Sequence, residues 1–284
     1  MTYPRPRHAL LACALALTAG SAIADATSQI TLGNVRITLT DLDTSDGVSP
    51  WIALNYESLP YLNGGAASFT PSYDMQAYAH LGKHDTTMLS DSVQTAWSSS
   101  AASIAGSSNL LGFTSLLASG QALSGANGYG EYGALAANYS STSFLISANT
   151  AVSISVDASI SVATTVGYNS AQDRAEHANG HVLLYIDGLD DDGNSLAVDQ
   201  YMELYAGFQQ SADGSFIGEQ SSWSGTLTLN FSNTAAHDQL ANIYGEIGIG
   251  GASVLAPVPE PSSYALALGG LALLGGVLRR RRAD

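Results

Sequence analysis

The chain has 284 residues, 45% hydrophobic and 12% charged, with a formal charge of −15 and a mean hydropathy of +0.10. That length and apolar content suffice for one or two buried cores. The acidity argues against nucleic-acid binding and against anionic lipid surfaces, which repel such a chain, and leaves divalent cations as natural counter-ions.

The first segment, residues 1–24, places Arg5 and Arg7 before an apolar run from Ala9 to Ala19 and ends in Ala22-Ile23-Ala24. This order of basic, apolar and small residues predicts a secretory signal peptide, cleaved after Ala24 or, as second choice, after Ala26. The only cysteine, Cys13, lies inside it, too deep in the apolar run for a lipoprotein site. The exported part therefore carries neither thiol nor disulfide. Of the 24 acidic residues, only Glu260 and Asp284 fall in the C-terminal tail. Of the nine basic ones, Arg5, Arg7 and Arg279 to Arg282 fall in the two ends. Between residues 25 and 256, Arg36, Lys83 and Arg174 thus face 22 acidic side chains, a net charge of −19.

From Asp25 to Ala256 the dominant period is two. In the stretch ITLGNVRITLTDLD, Ile30 and Leu32 share one phase, and Val35, Ile37 and Leu39 the other. The change falls at Gly33-Asn34 and predicts a bulge or tight turn there. The segment DLDTSDG at 41–47 reads as a turn and as a secondary cation candidate. YDMQAYAHLG at 73–82 is compatible with one short helix. Residues 90–143 are rich in Ser, Ala and Gly, and their composition does not choose between loops and edge strands. In AVSISVDASISVATTVG, Val152, Ile154, Val156, Ala158, Ile160, Val162 and Val166 fall on one face of a strand, with serines and Asp157 on the other. HVLLYIDG and DQYMELYAGF flank an acidic turn as the arms of a long hairpin. WSGTLTLNFSN aligns Trp223, Leu227, Leu229 and Phe231, and ANIYGEIGIGG aligns Ile243, Ile247 and Ile249. Alternating strands separated by turns predict an all-β fold over 25–256: a single antiparallel two-sheet sandwich, jelly-roll-like in form.

Candidate chemistry is sparse. Asp187, Asp190 and Asp192, in a glycine-containing turn, offer oxygens to a structural calcium ion. The turn fails as an EF-hand, because aligning Gly193 puts Gly188 at the first ligand position and Asp199 at the last. A solvated hairpin tip is the competing reading. His80 and His84, and His177 and His181, have the four-residue spacing that serves zinc on a helix. Leu81 and Ala178 stand where a zinc protease needs glutamate, and Asn179-Gly180 inside the second pair signals a turn. No Gly-x-Ser-x-Gly elbow, phosphate-binding glycine loop or dinucleotide fingerprint occurs. Paired carboxylates for glycoside hydrolysis would meet in space and not in sequence. Three tryptophans and 14 tyrosines offer aromatic faces for stacking on sugar rings; Trp51 and Trp97 are the freer to be exposed, whereas Trp223 shares a face with core residues.

The last segment, 257–284, has three parts. Pro259-Glu260-Pro261 holds the backbone extended, as suits a protease cleft. Residues 262–278 carry no charge and are long enough for roughly 25 Å of helix, close to the hydrocarbon thickness of a bilayer. Arg279, Arg280, Arg281 and Arg282 then mark a cytoplasmic end. This arrangement, with Val258 and Ser262 bordering the motif, resembles the PEP-CTERM sorting signal of Gram-negative bacteria. The resemblance implies a signal-peptidase step, an inner-membrane intermediate, cleavage by an exosortase near the motif, and delivery to the cell surface or an exopolysaccharide matrix. ITLGNVRITLTDLDTSDGVSPWIAL and STSFLISANTAV also resemble stretches of PEP-CTERM ectodomains, which implies a β-sandwich and no activity.

The expectation is therefore an exported structural or adhesive component of biofilm or extracellular polysaccharide, not an enzyme and without a required cofactor. A surface-held carbohydrate-binding module is the alternative, and an exported glycan-active hydrolase a third.

Overall fold

A computed structural model of the chain describes residues 24–254, apart from 57–58, 85–87, 107–109, 139–141, 171–172 and 191–192. These residues belong to one compact unit, Ile23–Pro257. Its strands are β1 (Ala24–Asp41), β2 (Ile52–Tyr56), β3 (Pro60–Phe69), β4 (Met75–His84), β5 (Met88–Gln94), β6 (Ser98–Gly106), β7 (Phe113–Gly125), β8 (Gly128–Asn138), β9 (Thr142–Ile146) and β10 (Thr150–Thr164). There follow β11 (Tyr168–Asn169), β12 (Arg174–Ala175), β13 (His177–Leu189), β14 (Ser195–Ala206), β15 (Phe208–Gln210), β16 (Phe216–Gly218), β17 (Gln220–Asn233) and β18 (Gln239–Ala252). No helix occurs among the described residues.

All pairings are antiparallel, and they build two layers. One layer runs β5-β6-β7-β1-β10-β17. The other runs β14-β13-β18, after which β18 pairs β9 and then β2 at one end and β8, β3 and β4 at the other. The layers face each other, β4 and β3 over β5 and β6, β18 over β7 and β1, β13 over β10, and β14 over β17. They are joined through the β7–β8 hairpin, where Ser124 pairs Tyr129 and Gly125 pairs Gly128. Beyond those rungs the two strands part, each into its own layer. The fold is thus the expected antiparallel sandwich, with hydrogen bonding continuous around one corner.

The core follows the alternation. Val152, Ile154, Val156, Ala158, Ile160 and Val162 of β10 point inward and are buried, with Ile243, Ile247 and Ile249 of β18 opposite. Val166 lies past the end of β10 and is half-buried. In β1 the register against β10 shifts between Gly33 and Arg36, and Asn34 takes a left-handed φ of 54°. The extra residue keeps both phases inward: Ile30 and Leu32 are buried, and Val35, Ile37 and Leu39 pack against the same core. Arg36, on the outer face, bonds Asp157 across the bulge at 2.8 Å, and both groups are well exposed.

Two regions depart from the sequence reading or complete it. Residues 75–84 form strand β4, not a helix; they pair with β3 from Tyr61–His84 to Phe69–Met75. Among the described side chains of this segment only Leu81 is buried, so they give no apolar stripe to hold a helix against the core, whereas β3 offers a full ladder of backbone partners. Residues 90–143 are mostly strand. In β6 the inward positions Ser98 and Ser100 are buried because their hydroxyls donate to the Ala67 and Gly133 carbonyls, at 2.8 and 2.7 Å.

Candidate functional site

The outer face of the second layer carries a trough. One row of laterally paired residues runs Tyr205, Asn179, Gly250, Gly133, Gly65 and His80 across β14, β13, β18, β8, β3 and β4. The next row runs Glu203, His181, Gly248, Leu135, Asn63 and Gly82. Glycine in the middle of both rows removes the side chains that would cover the sheet. What remains is an open groove of about 410 Å³, lined by Asn63, Gly133, Leu135, Asn179, His181 and Gly248 among others. That volume lies within the range of small-ligand sites.

The banks lean inward over the floor. Asn179 lies over Gly250, where an added Cβ would sit 3.0 Å from its Oδ1, and the His181 ring lies over Gly248. From the other side Tyr78 reaches over Gly65, where an added Cβ would meet its hydroxyl at 2.7 Å. Tyr78, Tyr201 and Tyr205 are 59%, 53% and 55% exposed, so each offers ring surface to a ligand. Their orientation is held by histidines: Tyr205 stacks on His177 at 6.5 Å, Tyr78 on His80 at 6.4 Å, and Tyr201 sits tilted at 6.0 Å from His181. One end of the face is closed by Phe69 stacked on Tyr129 at 5.1 Å, with the Arg174 guanidinium carbon 4.5 Å from the Tyr129 ring centre and 2.8 Å from that of Tyr73. Burial pushes the Tyr129 phenol up to about 12, with Arg174 opposing the shift.

The carboxylates nearest the trough on this face, Glu203 and Glu246, stand beside its His181. His181 Nε2 lies 3.3 Å from Glu246 Oε1, the Tyr244 hydroxyl donates to Glu246 Oε2, and the Tyr201 hydroxyl donates to Glu203 at 2.9 Å. The hydrogen bond from His181 holds Glu246 below the usual carboxylate range, against the upward push of partial burial and with help from Tyr244. A carboxylate lowered in this way stabilises the fold above its unfolded value, and the contribution is lost as pH falls through the folded one. Glu246→Gln is therefore expected to flatten the acid limb of melting temperature against pH below about pH 4.5. An unchanged acid limb in a calorimetric pH series would show that the pair contributes nothing.

The other sequence candidates are placed elsewhere. His177 and His181 lie on one strand face, where four residues span roughly 13 Å, too far for a shared zinc ion, and His80 and His84 likewise stand four residues apart along a strand, not a helix. Asp187 lines a separate groove with His237 and Asp238, and its Oδ1 is buried without a hydrogen-bond partner. Asp190 accepts from the Asn194 backbone at 2.7 Å and from its side-chain amide, as at a hairpin tip. Asp192 lies outside the described residues. Among the described residues no three His, Cys, Asp or Glu side chains converge as a metal group. In the segment at 41–47, Asp43 accepts from Ser45 and Asp46 from the backbone of Val48, as turn residues do. Trp51 is 37% exposed, Trp97 is half-buried against Gly125 and Gly128, and Trp223 packs on the core as its phase requires. The 14 tyrosines count among the aromatic candidates in the sequence, but composition does not single out Tyr78, Tyr201 and Tyr205; the signal for the last two is their alternation with Glu203 on the outer phase of the hairpin. Ala22, Pro259, Glu260, Pro261 and Arg279 to Arg282, with the apolar segment 262–278, lie outside the described residues, and Ala24 opens β1. Among the described residues no helix is long and apolar enough to cross a membrane.

Residues 257–282 match the family model of the PEP-CTERM protein-sorting motif, so the tail carries that signal. The motif implies an exported protein, processed by an exosortase and sorted to the cell surface. No curated protein sequence matches the chain. Among solved structures, the N-terminal CBM22-1-CBM22-2 tandem domain from Paenibacillus barcinonensis Xyn10C aligns over 82% of this chain and 78% of its own at 8% identity. The TM-score is 0.14.

Proposed function

We propose that the mature chain is a non-enzymatic structural or adhesive component of the cell surface or extracellular polysaccharide matrix of a Gram-negative bacterium, and that it holds a polysaccharide strand in the glycine-floored trough. The trough supports this reading because a sugar chain needs the two things it combines: a floor low enough for rings to settle, and aromatic banks to stack on. Glu131, Glu203 and Glu246 on this face favour a neutral or amine-bearing glycan over a uronate-rich one. The same reading has the leader removed after Ala24 by signal peptidase, residues 262–278 held in the inner membrane with Arg279–Arg282 on the cytoplasmic side, and exosortase cleavage near Pro259–Pro261. It assigns no cofactor and takes the turn at Asp190, closed by its bonds from Asn194, as a hairpin tip without calcium.

The test has two arms. The C-terminal peptide of protein recovered from cell surface and medium is expected to end near Pro259–Pro261; a chain still ending at Asp284 would make it a plain membrane-anchored protein. The ectodomain is expected to co-sediment with neutral matrix polysaccharide without shortening it. Failure to bind removes the trough's role, and loss of chain length would favour the hydrolase.

A further inference from the structure

A strand at the edge of a sheet presents a row of unpaired N–H and C=O groups, and natural sheets blunt such edges with charge, proline, bulges or shortness. Four of the edges here follow that rule. β4 carries Lys83, β5 carries Asp91, β14 carries Asp199 and Glu203, and β2 is five residues long. β17 does not. Over Gln220–Asn233 it has no charged residue and no proline. Its register against β10 is unbroken from Thr150–Asn233 to Ala163–Gln220. Among the described residues it pairs with no other strand. The edge therefore stays long and without a paired strand among the described residues, with β14 of the other layer packed over its face.

Charge says what can approach it. With Arg36, Lys83 and Arg174 facing 22 acidic residues in the exported part, two copies repel each other over most of their surface. The outer face beside β17 is the exception. Ser155, Ser159 and Ser161 of β10 and Ser222 and Ser224 of β17 cover it, and Asp157 is neutralised by Arg36. The same side of the sandwich leaves apolar surface partly uncovered at Trp223 of β17 and at Val198, Met202 and Leu204 of β14. An open strand edge is completed only by another extended backbone, and an identical strand turned about a twofold axis supplies one running antiparallel.

We propose that β17 is a homophilic edge: two copies of this chain pair β17 to β17, extending the first layer into a continuous twelve-stranded sheet. Such pairing keeps corresponding faces on the same side, so both troughs of the dimer open in one direction. The pairing does not depend on the glycan reading, and its test contains no polysaccharide.

The ectodomain, a compact unit with its own core, is analysed by sedimentation equilibrium over a concentration series up to about 100 μM, at low and at high salt. A dimer that tightens with salt is expected, because salt screens the repulsion between acidic copies. Hydrogen exchange on the same samples is expected to show β17 amides gaining protection as concentration rises. Ser222→Lys with Ser224→Lys, both exposed positions on the outer face, is expected to weaken the dimer at least about tenfold with an unchanged melting temperature. A monomer at every concentration overturns the proposal. So does a dimer that leaves β17 exchange unchanged, or β17 protection that arises only on adding polysaccharide or an unrelated exported protein. Should the lysine variant fail to fold, the exchange data on the unmodified chain decide alone.

Discussion

Replacing Glu176 by alanine is expected to cost the ectodomain about 3–5 kcal/mol, lowering its melting temperature by roughly 10 °C. Glu176 lies between β12 and β13 with no exposed surface. Its Oε2 accepts the backbone N–H groups of Thr165, Val166 and Gly167 at 2.9, 2.8 and 3.1 Å, and its Oε1 accepts the Ser253 hydroxyl at 2.8 Å. One carboxylate thus satisfies the turn that leaves β10 and also holds the residue that follows β18. Alanine would strand three donors where only the cavity left by the lost side chain could admit water, and each stranded donor costs about 1–3 kcal/mol. Glu176→Gln separates geometry from charge. Its amide oxygen can keep the three N–H bonds while its NH₂ meets Ser253, so a loss of only about 1–2 kcal/mol is expected. Exchange of the 165–167 amides should accelerate in the alanine variant and much less in the glutamine one. An alanine variant that melts within about 2 °C of the parent would mean that water or a shifted turn replaces the carboxylate without difficulty.

Nothing in the sequence singles out Glu176, and the reason is general. A residue that serves backbone donors of its own neighbourhood and a residue 77 positions away leaves no periodic trace. By contrast β10, β13 and β18 were legible because large apolar residues alternate with polar ones, and the β1 bulge was legible because the phase breaks at Gly33-Asn34. β6 was not legible. Its buried and exposed positions are both filled with serine and alanine, and burial there is decided by hydrogen bonds to β3 and β8 that contrast in hydropathy cannot encode. β4 was misread for a related reason: as an edge strand with only Leu81 buried among its described side chains, it lacks the alternation that marks a strand. The trough was invisible because its floor is assembled from Gly65, Gly133, Gly248 and Gly250, on β3, β8 and β18, and becomes a single feature only once the register is fixed.

The two surfaces reinforce each other physically. If the trough binds a polysaccharide as proposed, a single one would hold one strand with whatever affinity a few stacked rings provide. A β17-paired dimer presents two troughs on one side, so a second contact with the same or a neighbouring polysaccharide becomes intramolecular and gains effective concentration with no new contact within either trough. Reversible pairing through an uncharged edge would make that gain depend on local protein density, which is highest where the protein accumulates.

Gly133→Val is the substitution that isolates the trough, and it is expected to weaken polysaccharide binding at least about tenfold while leaving the melting temperature unchanged or slightly raised. The position is central, in the row between Gly250 and Gly65. An added Cβ would meet only the Ile249 carbonyl oxygen, at an ordinary 3.7 Å. Valine suits a strand better than glycine, which pays the larger entropy on folding, so the fold has no reason to suffer. Its methyl groups would nevertheless stand where a sugar ring must settle. The neighbouring glycines make poorer probes, because an added Cβ at Gly65 would meet the Ala79 carbonyl at 2.8 Å and one at Gly248 would strike the His181 ring. Tyr205→Ala, on the bank, removes stacking surface without filling the floor and should weaken binding by a smaller factor. Co-sedimentation and calorimetric titration against one neutral polysaccharide would rank the three proteins. If Gly133→Val binds as the parent does, the glycan is held elsewhere, and the glycine floor reflects only close backbone packing of β3, β8 and β18.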